Sequence, residues 1–229
     1  MSQFKTSQII EGDTILERLA EGKLPTDLRA PTAAFKSAHH ALVAAHGVVS
    51  AAEAERDDAL ALVTQTDTKL DRLLVRLVSL IPAHGLGDRR NPLAAYSEHT
   101  ASDLIGLAYA KEAAEAVRIA SAIKKTKPHK DVVAACDDVT AGSKALLAAI
   151  RGVNVPQRAY ASALGKRDAL LPDWSVQRTR LERKAIGAWA DEPEMVRAFF
   201  APPSAMEKPV TKREKKPAPP TPAASTPKS

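Results

Sequence analysis

A heptad repeat of apolar residues over 31–81 constrains the fold more than any other feature of this sequence. No proline interrupts the repeat, so it predicts one continuous helix. At about 1.5 Å per residue such a helix would be roughly 75 Å long. Its apolar stripe needs cover, either from other segments of the chain or from another chain. The a positions are Phe35, Leu42, Val49, Arg56, Val63, Leu70 and Leu77, and the d positions are Ala38, Ala45, Ala52, Ala59, Thr66, Leu73 and Leu80.

The rest of the chain carries shorter helical patterns, which places the protein in the all-α class. We predict an elongated antiparallel bundle built on the long helix, and we expect Pro172 to break or kink the helix that contains it. Thr100 and Asp103 have the spacing of a capping box. The predicted segments are an arm with a short helix (1–30), a bundle (31–200) and a disordered Pro/Lys/Ala-rich tail (201–229). Within the bundle we predict the long helix 31–81, a loop 82–99 and helices over about 100–127, 130–151, 156–190 and 193–200.

Two details concern the ends of the predicted body. We predict a helix over 14–21. Asp13 is expected to be its N-cap, and Gly22 is expected to end it. Near the other end, Trp189, Phe199 and Phe200 are large apolar residues. They predict either a lid on one end of the core or an exposed docking patch.

Composition and charge narrow the class of protein. The formal net charge of the 229 residues is +6, and the segment from Met206 onward has six basic and two acidic residues, so much of the excess lies in the tail. The single cysteine, Cys136, excludes an intramolecular disulfide and suits a reducing compartment. The N-terminal residues lack the apolar stretch of a secretory signal, and no stretch is apolar enough to span a membrane. We therefore expect a cytoplasmic protein.

No group of residues has the pattern of a catalytic or metal site. His39, His46 and Glu53 recur every seven residues beside the heptad stripe, about 10 Å apart along a helix, which is too far to share one ion. We interpret them as a polar flank. The chain lacks the Glu-x-x-His motif of di-iron bundles, and Cys136 lies on an apolar helical stripe, where burial raises the pKa of a thiol. The sequence predicts a protein that is not an enzyme, with no cofactor and no metal.

Interaction residues are predicted in two places. The first is the stripe of the long helix, where the charged Arg56 interrupts the a positions and either pairs with a group on a neighbouring helix or extends to water. Asp57 is on the same turn, but we expect it to point elsewhere. The second is the tail, where a basic cluster over 212–216 is followed by a proline-rich run that fits a basic-x-x-Pro-x-x-Pro recognition string. The predicted seam residues are Leu42, Val49, Arg56, Val63 and Leu70, and the predicted tail residues are Lys212, Arg213, Lys215 and Lys216.

Three functional hypotheses follow from these features. The first is a non-catalytic scaffold or adaptor that acts through protein–protein contacts, with a partner or by pairing of two copies along an open seam. The second is a nucleic-acid-associated protein whose tail adds salt-sensitive affinity. The third is a helical bundle that binds a metal or small ligand. The tail also fits a solvated tether with neither role.

Overall fold

The computed structural model describes residues 3–22 and 24–201, and within these ranges it contains helices and connections but no β-strand. The predicted all-α class is confirmed. The tail predicted over 201–229 lies outside the described residues, except for Ala201. A short 3-10 turn, Thr26–Leu28, precedes the second helix. The helices are α1 Gln3–Glu21, α2 Arg29–Ala83, α3 Ala101–Ile105, α4 Tyr109–Lys125, α5 Lys130–Gly152, α6 Asn154–Ala188 and α7 Pro193–Phe200.

Helix α2 confirms the long helix predicted from the heptads and extends about two residues beyond it at each end. All its apolar a positions are buried. Near the C-terminal end, however, Leu74 and Ile81 are buried, whereas the d residues Leu73 and Leu80 are half-buried. The buried stripe drifts in this way because a straight helix has 3.6 residues per turn and a heptad repeat assumes 3.5.

Two of the shorter helices differ from the prediction. The single helix expected over 100–127 is divided into α3 and α4, because the backbone leaves the helical path between Gly106 and Ala108. The capping box of Thr100 and Asp103 is confirmed at the start of α3. In contrast, α6 continues through Pro172. Of the two expected outcomes the break is wrong, since burial of Trp174 and Leu181 beyond the proline favours a continued helix over a cost of roughly 3 kcal/mol. The kink stays a prediction.

The N-terminal helix is also longer than predicted. It includes Asp13, which therefore lies inside α1 and is not its N-cap. Instead, Asp13 contacts His39 across the helix pair, with its Oδ1 at 2.9 Å from His39 Nε2. A tertiary contact, which local sequence rules do not include, has replaced the local capping role. Helix α1 ends at Glu21, as predicted from Gly22.

Contacts divide the chain into two compact units, with boundaries inside α2 and α6. Unit 1 contains the described residues up to 39 and from 174 onwards, and unit 2 contains residues 40–173. In unit 1, Phe199 and Phe200 of α7 are buried, and the rings of Trp189 and Phe199 stack with centroids 4.8 Å apart. Arg18 donates to the carbonyl of Ala198 at 2.7 Å. These contacts favour the lid over the exposed patch.

Unit 2 is built around a three-helix core. Helices α4 and α5 form a hairpin through the short connection after Lys125, so they are antiparallel. Arg76 of α2 pairs with Asp138 of α5 at 3.2 Å, and a Cβ on Gly142 would lie 2.9 Å from Leu73 Cδ1. These pairs show that α2 is antiparallel to α5 and runs parallel to α4. The fully buried members of the core include Leu70, Leu77, Ile81, Ala113, Ala116, Ile119, Ile123, Val132, Val139 and Leu146.

Candidate functional site

The predicted seam residues of α2 are already covered by this chain. Leu42, Val49, Val63 and Leu70 are at most 5% exposed. Two copies would have to open the fold to pair through these side chains. Their assignment as interaction residues stays a prediction. The exposed faces of α2 are the surfaces of this helix that a partner can reach without unfolding. The tail residues from Lys212 to Lys216 lie outside the described residues.

Arg56 has partners on its own helix and on α6. Its guanidinium lies over the Tyr160 ring, 4.3 Å from the ring centroid. Its Nη2 is 2.6 Å from Asp57 Oδ1 and 3.6 Å from Glu53 Oε1. The expectation that Asp57 points elsewhere is wrong, because a long arginine side chain can turn back along its helix. The aromatic contact from a neighbouring helix balances the charge at this a position.

An open apolar groove lies between α2 and α5 in unit 2. It has a volume of about 480 Å³. Leu62 projects at its edge with 53% of its surface exposed, and alanines of α5 leave a hollow beside it. The lining residues are Ala59, Leu62, Thr66, Ala145, Ala148, Ala149 and Gly152.

Three carboxyl groups meet at one point of the unit 2 core. Asp67 and Asp71 are four residues apart and therefore share one face of α2, and Glu112 comes from the first turn of α4. One oxygen from each lies within 4.8 Å of the other two. Glu112 is only 1% exposed. Both of its oxygens, and Oδ1 of each aspartate, are buried without a hydrogen-bond partner outside the cluster, and the carboxyl group of Glu112 is within hydrogen-bonding reach of Asp67 and Asp71.

The electrostatics of this cluster favour protonation. Burial, together with the neighbouring Asp67 and Asp71 charges, raises the pKa of Glu112 to about 8. Burial also raises the pKa of Asp67, with the Asp71 charge as a second cause. Among the described residues, no lysine or arginine forms an ion pair with any of the three. When ionised, the cluster therefore concentrates negative charge without a compensating cation from the described residues.

A buried hydroxyl of α5 lies at the same level. Glu112 and Ser143 are equally far along the chain from the turn between α4 and α5, so antiparallel packing places them at similar heights. Leu70, the neighbour of Asp71 on α2, and Leu73 one position beyond Arg72 face Gly142, which precedes Ser143. Ser143 is fully buried, and its Oγ has no hydrogen-bond partner.

The histidines fall into two different environments. His39 is 1% exposed, so its interpretation as part of a polar flank is wrong: α1 and α6 cover it. His84 and His129 are exposed, and their rings stack with centroids 4.7 Å apart. Together with Asp131 they form a second group whose potential ligand atoms lie within 4.8 Å of one another.

Unit 1 carries a basic groove that sequence analysis did not identify. Its volume is about 890 Å³, and Arg180, Arg183 and Lys184 of α6 line it together with Asp27. The three basic residues are exposed and share one side of the helix by their spacing. This groove gives the body of the protein a positive surface that is independent of the tail.

The carboxylate cluster had a signal in the sequence. Glu112 occupies a position on the otherwise small and apolar stripe of α4, between Ala108 and Ala116. A glutamate on such a stripe indicates either an unusual partner or a site. The partners, Asp67 and Asp71, give no such signal, because acidic residues beside a heptad stripe are usually solvated.

Comparisons with protein-family models, with curated proteins and with solved structures gave no match. In the described part of the chain, no helix has the length and apolar character needed to cross a bilayer.

Proposed function

We propose that this protein is a non-catalytic helical scaffold that assembles by pairing of two copies through the groove between α2 and α5. The observation that carries the proposal is the exposed Leu62 beside an alanine-lined hollow. A two-fold symmetric contact requires a surface that contains both a projection and its complement. Alanines and Gly152 allow another helix to approach closely, as in helix-in-groove recognition. The single cysteine supports a reducing compartment such as the cytoplasm.

Sedimentation equilibrium on the full 229-residue chain tests this proposal. We expect a dimer for the unchanged protein and a monomer for Leu62→Glu, because the substitution places a charge in the contact. Leu60→Glu is the matched control, since Leu60 is 46% exposed on the same helix but does not line the groove. It should remain dimeric. A monomeric unchanged protein, or equal effects of the two substitutions, would contradict pairing through this groove.

Polyanion binding is a second candidate function, supported by the basic groove on α6. Arg180, Arg183 and Lys184 would contact phosphates, and the predicted basic tail would add affinity. Fluorescence anisotropy with a labelled DNA duplex at several salt concentrations tests this function. Binding that falls steeply with salt, and that weakens in Arg183→Glu, is the expected result. Truncation after residue 205 then separates the contribution of the tail. Affinity that is unchanged by Arg183→Glu would exclude the groove.

A further inference from the structure

The carboxylate cluster of unit 2 is costly as it stands. Charged oxygens removed from water lose their hydration, and the loss is recovered only through hydrogen bonds or a counter-charge. Glu112 has no such counter-charge: both of its oxygens are buried, and the hydrogen bonds of its carboxyl group are with Asp67 and Asp71 of the cluster itself. Its carboxyl group points toward Asp67 and Asp71, which carry charge of the same sign. If Glu112 only filled space in the core, an apolar side chain at this position would stabilise the fold more, as Ala113 and Ala116 do at neighbouring positions.

We propose that Asp67, Asp71 and Glu112 bind one divalent cation of the hard, oxygen-preferring class: Mg²⁺, Mn²⁺ or Ca²⁺. Carboxylate oxygens are the ligands these ions prefer, whereas zinc and copper sites favour nitrogen and sulfur. Oxygens around one such ion, each at about 2.0–2.6 Å from it, are separated by at most about 5 Å. The three oxygens meet this limit, since they lie within 4.8 Å of one another.

The buried carboxylate on a different helix is the observation that separates this cluster from an ordinary acidic surface. Asp67 and Asp71 alone are a half-buried pair on α2. Glu112 joins them from α4 at 1% exposure, with no hydrogen-bond partner for either oxygen outside the cluster. Two different helices thus supply the carboxyl oxygens of the cluster.

A bound cation would join α2 to α4, so its binding should be saturable and should also stabilise unit 2 against unfolding. This gives two readouts, and neither depends on the scaffold function. Isothermal titration of the full chain with Mn²⁺ should give one site per chain. The thermal unfolding midpoint, measured by circular dichroism, should rise with Mn²⁺ concentration. Titrations with Mg²⁺ and Ca²⁺ then identify which ion of the class binds most tightly.

Substitutions that keep the shape of the side chains identify the ligands. Glu112→Gln and Asp71→Asn each remove one charged ligand, and each should weaken Mn²⁺ binding at least about tenfold. Asp58→Asn changes an exposed carboxylate on the same helix and should leave the affinity unchanged. His84→Ala removes a member of the exposed histidine group and should also have no effect. Circular dichroism confirms that each variant is folded before it is titrated.

Three results would overturn the site. The first is the absence of saturable binding of all three cations up to about 5 mM, which is above the dissociation constants of weak calcium modules. The second is equal Mn²⁺ affinity in the unchanged protein and in both Glu112→Gln and Asp71→Asn. The third is loss of binding in His84→Ala alone, which would assign the ion to the exposed histidines. In each case the three carboxyl groups would share protons and not a metal ion.

Discussion

The indole Nε1 of Trp174 donates a hydrogen bond to Nδ1 of His39 at 3.2 Å, although the two residues are 135 positions apart in the sequence. Because Nδ1 accepts, a neutral His39 carries its proton on Nε2. That nitrogen is 2.9 Å from Oδ1 of Asp13, to which it donates. The chain of contacts joins α6, α2 and α1 within unit 1. It makes the packing of three sequence segments depend on one buried imidazole.

The first prediction concerns the glycine that makes room for this imidazole. A Cβ at Gly12 would lie 2.2 Å from His39 Nδ1, so Gly12→Ala forces the ring to move. We expect a loss of about 1–3 kcal/mol in the free energy of unfolding, measured in urea. Gly47→Ala is the control, since nothing lies within 4 Å of the position of its Cβ. This second substitution should stabilise the protein by up to about 1 kcal/mol, because alanine is the better helix former. Equal effects would contradict the close approach of α1.

The second prediction tests the hydrogen bond itself. Trp174→Phe keeps an aromatic ring against Phe35, whose centroid is 5.7 Å from that of Trp174, but removes the donor to His39. We expect the free energy of unfolding to fall by about 1–3 kcal/mol, since a buried acceptor loses its donor. Trp189→Phe provides the comparison, because Trp189 is half-buried and stacks on Phe199 without any such acceptor. A smaller loss for Trp174→Phe than for Trp189→Phe would count against the hydrogen bond.

The third prediction is a pH dependence in metal-free buffer. The pKa of Glu112 is raised from 4.5 to about 8, so between these values the folded protein binds more protons than the unfolded chain. The free energy of unfolding must therefore fall as pH rises through this window. Glu112→Gln should remove most of this slope, leaving the part that comes from the raised pKa of Asp67, and should stabilise the protein at pH 8 by roughly 1–4 kcal/mol. Urea denaturation at several pH values measures both effects, and parallel profiles for the two proteins would refute the assignment.

Glu115 does not disturb this measurement, although it is close in sequence. Its pKa is lowered to about 2, mainly by the hydrogen bond from Arg118. A lowered pKa contributes stability that is present above the unfolded value and is lost as pH falls toward 2. Its effect therefore appears on the acid side of the window in which Glu112 acts.

The fourth prediction concerns Cys136. The thiol is fully buried in the core of unit 2, and burial raises its pKa to about 11. At pH 8 the fraction present as thiolate should be on the order of a hundredfold below that of an ordinary cysteine. We expect reaction with Ellman's reagent to be slow in native buffer and rapid in concentrated urea. Fast reaction of the folded protein would show that this part of the core opens readily.

Much of the fold follows from local patterns. The heptads of α2, the capping box at Thr100 and the stop at Gly22 rest on residues close together in sequence, and all three are present in the structure. The break predicted at Pro172 is absent, because packing of residues beyond the proline outweighed the local energetic cost of a proline inside a helix. The division of the 100–127 helix was also missed, since Gly106 alone is a weak signal for a helix end.

The sequence by itself determined that this protein is helical, because periodicity and capping depend on neighbouring residues. It also placed Arg56 at a stripe position and Cys136 in a core. Only the tertiary structure decided that Glu112 faces Asp67 and Asp71, that His39 is buried between Asp13 and Trp174, and that Leu62 lies at the edge of a groove. Each of these depends on the rotation and relative height of helices that are distant in sequence. Small differences in packing set those quantities, and a hydrophobic stripe does not specify them.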